Sequence, residues 1–263
     1  MAWDHQGNVV VADRDNHRLQ VIRLIDGACL RTIGSKCSGA GQCNSPHGVA
    51  FDSAGRIIVA DTGNHRVQVL RYSDGSHERT IGSRGSGNGQ FNCPVSVAVD
   101  GSGNVFVFDQ NNHRIQVLRV SDGAHVRSMC SLGSGAGQLS GWGSVALDGL
   151  GNVVVADGSN HRVQVLRCSD GAHLRTIGSK GSGAGQFNNP RGVVFDSAGH
   201  IIVADAWNHR VQVLRYSDGS HERTIGSRGS GNGQFAGPDG VLVDGQGRII
   251  VSEYANHRIQ VLQ

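Results

Sequence analysis

Short apolar runs separated by turn residues repeat along the chain, and residues 49–81 contain one copy of the pattern. Residues 49–52 and 57–61 are apolar runs that each end at an aspartate, and residues 65–71 alternate apolar and polar positions. Residues 77–81 form a fourth, more polar run. Runs of this length, rich in β-branched residues and bounded by turn residues, predict four short antiparallel strands, of which the polar fourth is the outermost.

The pattern recurs with a fixed period of 48 residues. The tripeptide Asn-His-Arg marks each copy and begins at Asn16, Asn64, Asn112, Asn160, Asn208 and Asn256. No insertion or deletion disturbs this spacing, which is typical of a repeat architecture. Six copies of four antiparallel strands, with no helical periodicity, predict an all-β fold: a β-propeller of six blades.

We expect a single propeller domain over residues 1–263, with blades at approximately 1–48, 49–96, 97–144, 145–192, 193–240 and 241–263. Because the last copy ends after its third strand, blade six should have three strands and an unpaired edge, in a monomeric ring. The first copy begins inside its first strand without a visible leader peptide, which favours a segment of a longer protein. Residues 67–91 are identical to residues 211–235, which indicates a duplicated half of 144 residues.

The repeat resembles a known family. Gly-Val-Ala-Phe-Asp (48–52), Gly-Arg-Ile-Ile-Val-Ala-Asp (55–61) and Asn-His-Arg-Val-Gln-Val-Leu (64–70) resemble the NHL repeat, and the resemblance covers the whole chain. It implies an NHL-type propeller like those of tripartite-motif and related proteins. The usual role that it implies is a non-catalytic scaffold for a protein or peptide partner. Two alternatives that it also implies are single-stranded RNA binding on a basic upper face and a lyase with a metal in the central channel.

Composition narrows these choices only slightly. The net charge of +3 is too small by itself to indicate nucleic acid, and no apolar run is long enough to span a membrane. The six cysteines, with no CxxC pair, are Cys29, Cys37, Cys43, Cys93, Cys130 and Cys168. They fall at six different repeat positions, so we predict free thiols and neither a zinc site nor another cofactor. Free thiols favour a reducing, cytoplasmic location.

The Asn-His-Arg copies are candidates for structure rather than chemistry. Asn64 is expected to turn the chain in a left-handed conformation. His65 and Arg66 are expected to bond Asp52 or Asp61 and nearby carbonyls, and so tie together the strands of one blade. The same network is expected at Asn208, His209 and Arg210. A six-fold metal site is disfavoured, because equivalent turns hold the histidines apart whereas zinc needs ligands at about 2 Å.

The glycine-rich stretch Gly85–Gly89 joins two strands, so it predicts a connection between blades rather than a dinucleotide site, which needs a strand followed by a helix. Phe91, Phe187 and Phe235 anchor three of these connections. Cys43 and Leu139 take the same position in the other two, where looser packing is expected.

Positions that differ between copies are the candidates for partner binding, because the shared residues build the fold. They are the residue before each first strand, near the central opening, and the two residues before each Asn-His-Arg, all expected on one face. The predicted partner-binding residues are Arg14, Asp15, His47, Trp142, Arg191, Trp207, Asp239 and Tyr254. Trp, Tyr and Arg are enriched at binding hot spots, although unselected variation of turn residues would give a similar pattern.

The same face should also carry the positive charges of the glycine-rich loops, which are Lys36, Arg84, Lys180 and Arg228. The low net charge and the scarcity of aromatic residues count against RNA. Catalysis is disfavoured because only His47 and His5 are candidates for a channel metal. The sequence therefore favours a protein- or peptide-binding scaffold.

Overall fold

The computed structural model describes residues 1–262. The prediction of an all-β, six-bladed propeller is confirmed: five blades have four antiparallel strands, and the last has three. Within these residues there is no α-helix, and no helix long and apolar enough to cross a membrane. The chain divides into two compact units, Met1–Leu132 (unit 1) and Gly133–Gln263 (unit 2), which are described separately.

Unit 1 contains three blades. Blade 1 consists of β1 (Ala2–Trp3), β2 (Asn8–Asp13), β3 (Arg18–Arg23) and β4 (Cys29–Ile33). Blade 2 consists of β5 (Pro46–Phe51), β6 (Arg56–Asp61), β7 (Arg66–Arg71) and β8 (His77–Ile81). The short β9 (Ser83–Arg84) and β10 (Gln90–Phe91) pair in parallel in the next connection. Blade 3 follows with β11 (Pro94–Val99), β12 (Asn104–Asp109), β13 (Arg114–Arg119) and β14 (His125–Met129), and β15 (Ser131–Leu132) ends the unit.

Unit 2 contains the other three blades. After β16 (Gln138–Leu139), blade 4 consists of β17 (Gly143–Leu147), β18 (Asn152–Asp157), β19 (Arg162–Arg167) and β20 (His173–Ile177). Blade 5 consists of β21 (Pro190–Phe195), β22 (His200–Asp205), β23 (Arg210–Arg215) and β24 (His221–Ile225). Blade 6 consists of β25 (Pro238–Val243), β26 (Ile249–Glu253) and β27 (Arg258–Leu262).

The first strands begin earlier than the apolar pattern predicts. In blade 2, β5 starts at Pro46 and not at Val49. Pro46 pairs with Asp61, and the register is irregular until Val49 pairs with Val59. Proline is accepted at the first residue of a strand because it lacks the N–H that an interior ladder position would need. Polar residues after the proline therefore belong to the strand, although they interrupt its apolar pattern.

The second strand of a blade is apolar on both faces because a neighbouring blade covers each face. In unit 1, Ile57 packs in a cluster with Val10 of blade 1, and Ile58 packs with Val97 of blade 3. In unit 2, Val203 packs with blade 4 and Ile202 with blade 6. A strand buried on both faces reads as a continuous apolar run, here Ile57–Ala60, and not as an alternating one.

The connections between blades differ in how well they are filled. In the connection before blade 5, Phe187 is fully buried, and a Cβ at Gly178 would lie only 2.4 Å from its ring. In the connection before blade 2, a Cβ at Gly34 would lie 3.3 Å from the Cys43 sulfur. The cysteine thus leaves more room. All six cysteines are free thiols, as predicted, and burial followed by the charge of Asp61 raises the pKa of Cys43 to about 12.

Candidate partner-binding surface

A single 3₁₀ turn joins the second and third strands in each of blades 1 to 5. In blade 2 this turn is Thr62–Asn64, and the residue after it, His65, has φ +53°. The left-handed residue is thus the histidine, and the prediction that Asn64 adopts this conformation is wrong. Asn64 instead ends the 3₁₀ turn, which leaves its side chain directed at Asp61, 2.9 Å away.

The buried carboxylate of Asp61 is the centre of the polar network. It accepts hydrogen bonds from Asn64 Nδ2, from Arg66 Nε at 2.8 Å and from Gln68 Nε2 at 2.9 Å. Its second oxygen accepts the backbone N–H of Asn44 at 2.7 Å. Asp61 has no exposed surface, so these four bonds replace the water that the ionised carboxylate has lost. We call Asp61, Asn64, Arg66 and Gln68 the clamp of blade 2.

The clamp holds the preceding connection as well as its own blade. Arg66 Nη2 donates to the carbonyls of Gly39 and Gln42, and Asn64 donates to the carbonyl of Cys37. The prediction that the network ties together one blade is therefore too narrow, because most of these partners lie 24–27 residues earlier. The glycine-rich connection is pinned by charged and amide side chains that satisfy its backbone carbonyls.

His65 bonds a residue that lies later in the chain, whereas the clamp bonds residues that lie earlier. Its Nδ1 accepts the backbone N–H of Cys93 at 3.0 Å, 28 residues later, and bonds neither Asp52 nor Asp61. His161 and His209 accept from Asn189 and Gly237 in the same way. An accepting Nδ1 requires a neutral imidazole with its proton on Nε2. Burial lowers the pKa of His65, and the nearby charge of Arg84 lowers it further, against the opposing effect of Asp109.

Asp52 takes no part in the clamp. It accepts the backbone N–H groups of Ala54 and Arg56 and the Arg56 guanidinium, and so closes the turn between the first two strands. Of the two carboxylates expected to accept from Arg66, only Asp61 does so. The equivalent Asp148 accepts in addition from the Tyr216 hydroxyl of the next blade, at 2.9 Å.

Two clamp residues do not follow from the Asn-His-Arg motif. Gln68 lies on the polar side of an alternating strand in the sequence, yet it is fully buried and its Oε1 accepts the Gly41 N–H. The glutamine recurs in every copy, and this was the available signal. In blade 6 the aspartate position is Glu253, whose oxygens accept from Asn256 at 2.6 Å and from Arg258 at 2.6 Å.

Blade 5 repeats the clamp at the predicted residues. Asp205 accepts from Asn208 at 2.9 Å, from Arg210 at 2.8 Å and from the Asn188 backbone at 2.7 Å. His209 has φ +53°. The predicted residues Asn208 and Arg210 are thus brought together with Asp205, while His209 contacts the following connection.

Three of the predicted binding residues meet at the starts of the first strands in unit 2. Arg191 Nη1 donates to Asp239 Oδ1 at 2.9 Å, and its guanidinium carbon lies 5.9 Å from the centre of the Trp142 ring. The strands approach closely here, because a Cβ at Gly192 would lie 2.6 Å from the Asp239 carbonyl. Arg191 Nε is buried and has no hydrogen-bond partner within the described residues. The side chains form a half-buried cluster across blades 4, 5 and 6.

Two further predicted residues are exposed aromatics on equivalent turns. Trp207 is 60% exposed and Tyr254 54% exposed. Asn208, next to Trp207, donates to the carbonyl of Gly181 at 2.8 Å, which brings the turn beside the exposed Lys180. Asn256 donates in the same way to Gly229 at 3.0 Å, beside the exposed Arg228. We call Lys180, Trp207, Arg228 and Tyr254 the basic–aromatic surface of unit 2.

The remaining predicted residues belong to unit 1. Arg14 and Asp15 lie in the 3₁₀ turn of blade 1, where Asp15 is exposed and Arg14 half-buried. His47 is the second residue of β5, and its Nδ1 lies 3.0 Å from the carbonyl of Val95 in blade 3. Blades 2 and 3 have Thr62–Gly63 and Gln110–Asn111 where unit 2 has its exposed aromatics. Among residues 1–262 there is no cluster of three His, Cys, Asp or Glu side chains that could hold a metal ion.

Comparison with known proteins identifies the repeat. The family model described as the NHL repeat matches residues 44–70, 91–118, 143–166, 187–214 and 235–262. No curated protein sequence gives a match.

Similar solved structures include a gluconolactonase from Xanthomonas campestris, with 16% identity over 96% of this chain and 81% of that one and a TM-score of 0.72. Hydrazine synthase from Kuenenia stuttgartiensis has 11% identity over 99% and 93% of the two chains, with a TM-score of 0.66. A chain of the nidogen/laminin complex has 19% identity over 85% and 77%, with a TM-score of 0.68. At these identities the similarity is one of fold.

Proposed function

We propose that this chain, which belongs to the NHL-repeat family, is a binding scaffold that recognises a protein or peptide through the basic–aromatic surface of unit 2. The observation that carries the proposal is the basic–aromatic surface: the two most exposed aromatic side chains, Trp207 and Tyr254, occupy equivalent turns of consecutive blades. Each lies close in sequence to an asparagine that bonds the glycine after a basic residue, Lys180 or Arg228. The clamps use the shared polar residues for the fold, which leaves these variable turns available for recognition.

The chemistry of the surface favours an acidic partner with apolar side chains. Trp and Tyr bring large contact areas at a small cost in side-chain entropy and can be dehydrated when a partner covers them. Lys180 and Arg228 lie on loops whose backbones the clamps hold, so the points from which these exposed side chains extend are fixed. A peptide with carboxylates next to apolar residues would match this order of basic and aromatic groups.

The nearby cluster of Trp142, Arg191 and Asp239 would support the surface and contribute less direct contact. Arg191 already donates to Asp239 and lies against Trp142, so its charge is partly balanced. The proposal assigns binding rather than catalysis, because the repeated carboxylates and histidines are engaged in clamps and turns. The gluconolactonase and hydrazine synthase share the fold, and their activities are not transferred to this chain.

Selection from a random peptide-display library tests the proposal. We expect wild-type protein to enrich acidic peptides with aromatic or aliphatic residues. The double variant Trp207→Ala/Tyr254→Ala should bind the selected peptides at least about tenfold more weakly, as expected when two hot-spot side chains are removed. Leu150→Ala is the matched control, because Leu150 is 83% exposed in the turn between the first two strands of blade 4. Equal loss in the control, or none in the double variant, would refute the proposal.

Single-stranded RNA is the second candidate, and the same surface favours it. Alternating cationic and aromatic side chains hold phosphates and stack on bases in many single-strand binding sites. A labelled oligouridylate should then bind with an affinity that falls steeply with salt, by a slope of about −0.7 per phosphate contacted in a plot of log affinity against log salt. A protein or peptide partner should show a much smaller slope, so one salt titration separates the two candidates.

A further inference from the structure

Two residues of the connection before blade 5, Asn188 and Asn189, link the turn that carries Trp207 to the preceding blade. The backbone N–H of Trp207 donates to the carbonyl of Asn188 at 3.0 Å. The N–H of Asn188 donates to the Asp205 carboxylate at 2.7 Å. Both polar backbone groups of Asn188 are therefore bonded to blade 5. We call Asn188 and Asn189 the corner before blade 5.

The other half of the corner is bonded to blade 4. The backbone N–H of Asn189 donates to Nδ1 of His161 at 3.1 Å. Asn189 is 6% exposed and has φ +53°, so its N–H has little access to water if this acceptor is lost. The corner thus joins a histidine of blade 4 to the aromatic turn of blade 5, and its position depends on the bond to His161.

The surroundings of His161 disfavour its protonated form. Burial lowers the pKa of His161, and the charge of Lys180 in the connection lowers it further. The charges of Asp205, at the end of β22, and Asp157, at the end of β18, oppose this change. The ring is therefore neutral above the ordinary histidine pKa of about 6.5, and Nδ1 gains a proton only as the pH falls through the lowered pKa.

We propose that His161 is a positioning residue for the basic–aromatic surface, and that its protonation releases the corner and the Trp207 turn and so weakens partner binding. The binding part of this inference rests on the proposed function, whereas the release of the turn does not. A protonated Nδ1 can only donate, so it cannot accept the Asn189 N–H. The carbonyl of Asn188 passes the movement of the corner to the Trp207 backbone. The surface thus holds a partner at neutral pH and releases it on acidification.

Protonation of His161 also has an electrostatic effect of the opposite sign. It adds a positive charge near Lys180, which by itself would strengthen the binding of an acidic partner. Water and salt screen the attraction between exposed charges, whereas a buried N–H without an acceptor has no such compensation. Release of the corner is therefore the larger effect, and acidification weakens binding.

Nuclear magnetic resonance of ¹⁵N-labelled protein between about pH 7.5 and 5.5 tests the positioning role without any ligand. We expect the backbone amide signals of Asn189 and Trp207 to shift together in one transition. His161→Asn should remove this transition from both signals, because asparagine tolerates the left-handed conformation and offers an amide oxygen but does not titrate. The matched control is His65→Asn, the equivalent change in unit 1, which should leave the transition at Trp207 unchanged.

Fluorescence anisotropy with one labelled acidic peptide from the library selection tests the consequence for binding. The affinity of the wild-type protein should fall about threefold or more between the same two pH values, as expected for the loss of one hydrogen bond. The affinity of His161→Asn should fall less. At the higher pH the two proteins should bind the peptide equally, because the asparagine restores the bond to the corner.

Three results would overturn the proposal. One is a transition at Trp207 that persists in His161→Asn, since another group would then move the turn. Another is peptide binding that strengthens on acidification in the wild type alone, which would mean that the added charge dominates. The third is an equal pH dependence of peptide binding in both proteins, which refutes control by His161 and leaves the proposed function standing. If no peptide is selected, the proposed function fails, and the amide signals still decide whether His161 positions the turn.

Discussion

Blades 2 and 5 are nearly identical in sequence and in their clamps. The positions at which they differ distinguish the residues that build the fold from those that are available for recognition. From Val67 to Phe91 the sequence equals that from Val211 to Phe235. The clamp distances agree closely, with Arg66 Nε 2.8 Å from Asp61 and Arg210 Nε 2.8 Å from Asp205. The 3₁₀ turns differ: blade 2 has a buried threonine and a glycine, and blade 5 has an alanine and the exposed Trp207.

The comparison shows why the turn can vary and the clamp cannot. Every clamp side chain is bonded to a group that has no access to water, so a change leaves a buried partner unsatisfied. The second residue of the 3₁₀ turn contributes only its backbone to the structure: Gly63 N and Trp207 N donate to Asn44 O and Asn188 O. In blade 5 its side chain points into solvent, where it is free to serve a partner.

The largest expected effect is loss of a clamp carboxylate. Asp61→Ala and Asp205→Ala should each lower the free energy of unfolding by about 3–5 kcal/mol, because each leaves a largely buried arginine without its counter-charge. Urea denaturation followed by circular dichroism measures both. Asp74→Ala, which removes an exposed ion pair with Arg71, is the control and should change stability little. A much larger loss in one blade than in the other would show that the two clamps are not equivalent.

A smaller loss of stability should distinguish the connection before blade 5 from the connection before blade 2. Phe187→Ala should lower the free energy of unfolding by about 3 kcal/mol and Cys43→Ala by about 1 kcal/mol, because the cavity left by a phenyl ring is larger than that left by a thiol. The same denaturation experiment applies. Equal losses would mean that the cysteine connection is as tightly packed as the aromatic one.

The smallest expected effect is a pH dependence from the histidine after the turn. Burial and Arg84 lower the pKa of His65, so the unfolded chain, with an ordinary histidine pKa of about 6.5, binds the proton more readily than the folded one. His65 therefore favours the folded state fully above that pH, and the contribution is lost as pH falls through and below it. Urea denaturation between about pH 7.5 and 5.5 should show the loss.

His65→Asn is the matched variant for this test. Asparagine tolerates the left-handed conformation and offers an amide oxygen to the Cys93 N–H, but it does not titrate. Its free energy of unfolding should fall less between these pH values than that of the wild type. An unchanged pH dependence would exclude His65 as a source, and the other histidines would then account for it.

The fold could be predicted from the sequence because the 48-residue period carries the strand order six times. The three-stranded last blade and the free thiols also followed from pattern and position. The starts of the first strands did not, because Pro46 and His47 interrupt the apolar run although both belong to β5, in which Pro46 pairs with Asp61 of β6. The apolar pattern of a sequence indicates which positions are buried. Pro46 and His47 belong to the strand because of their backbone geometry, which the pattern does not indicate.

The site was predictable in its residues and less so in its contacts. Exposure of Trp207 and Tyr254 agrees with their place in variable turns, whereas their role in binding remains a prediction. The partners of His65 and Arg66 were wrong in part, because a motif repeated once per blade does not reveal whether its bonds stay within the blade. Gln68 was missed because an alternating strand predicts a solvent-facing glutamine, and only the covering connection buries it.

The bonds from Arg66 reach back 24–27 residues and the bond of His65 reaches forward 28, so these partners lie within one 48-residue period of the motif. A recombination event that copies any stretch of 48 residues, wherever it starts, brings with it the donors and acceptors that the new copy needs on both sides. Residues 67–91 and 211–235 are identical and lie 144 residues apart, which is the result expected from duplication of three such periods.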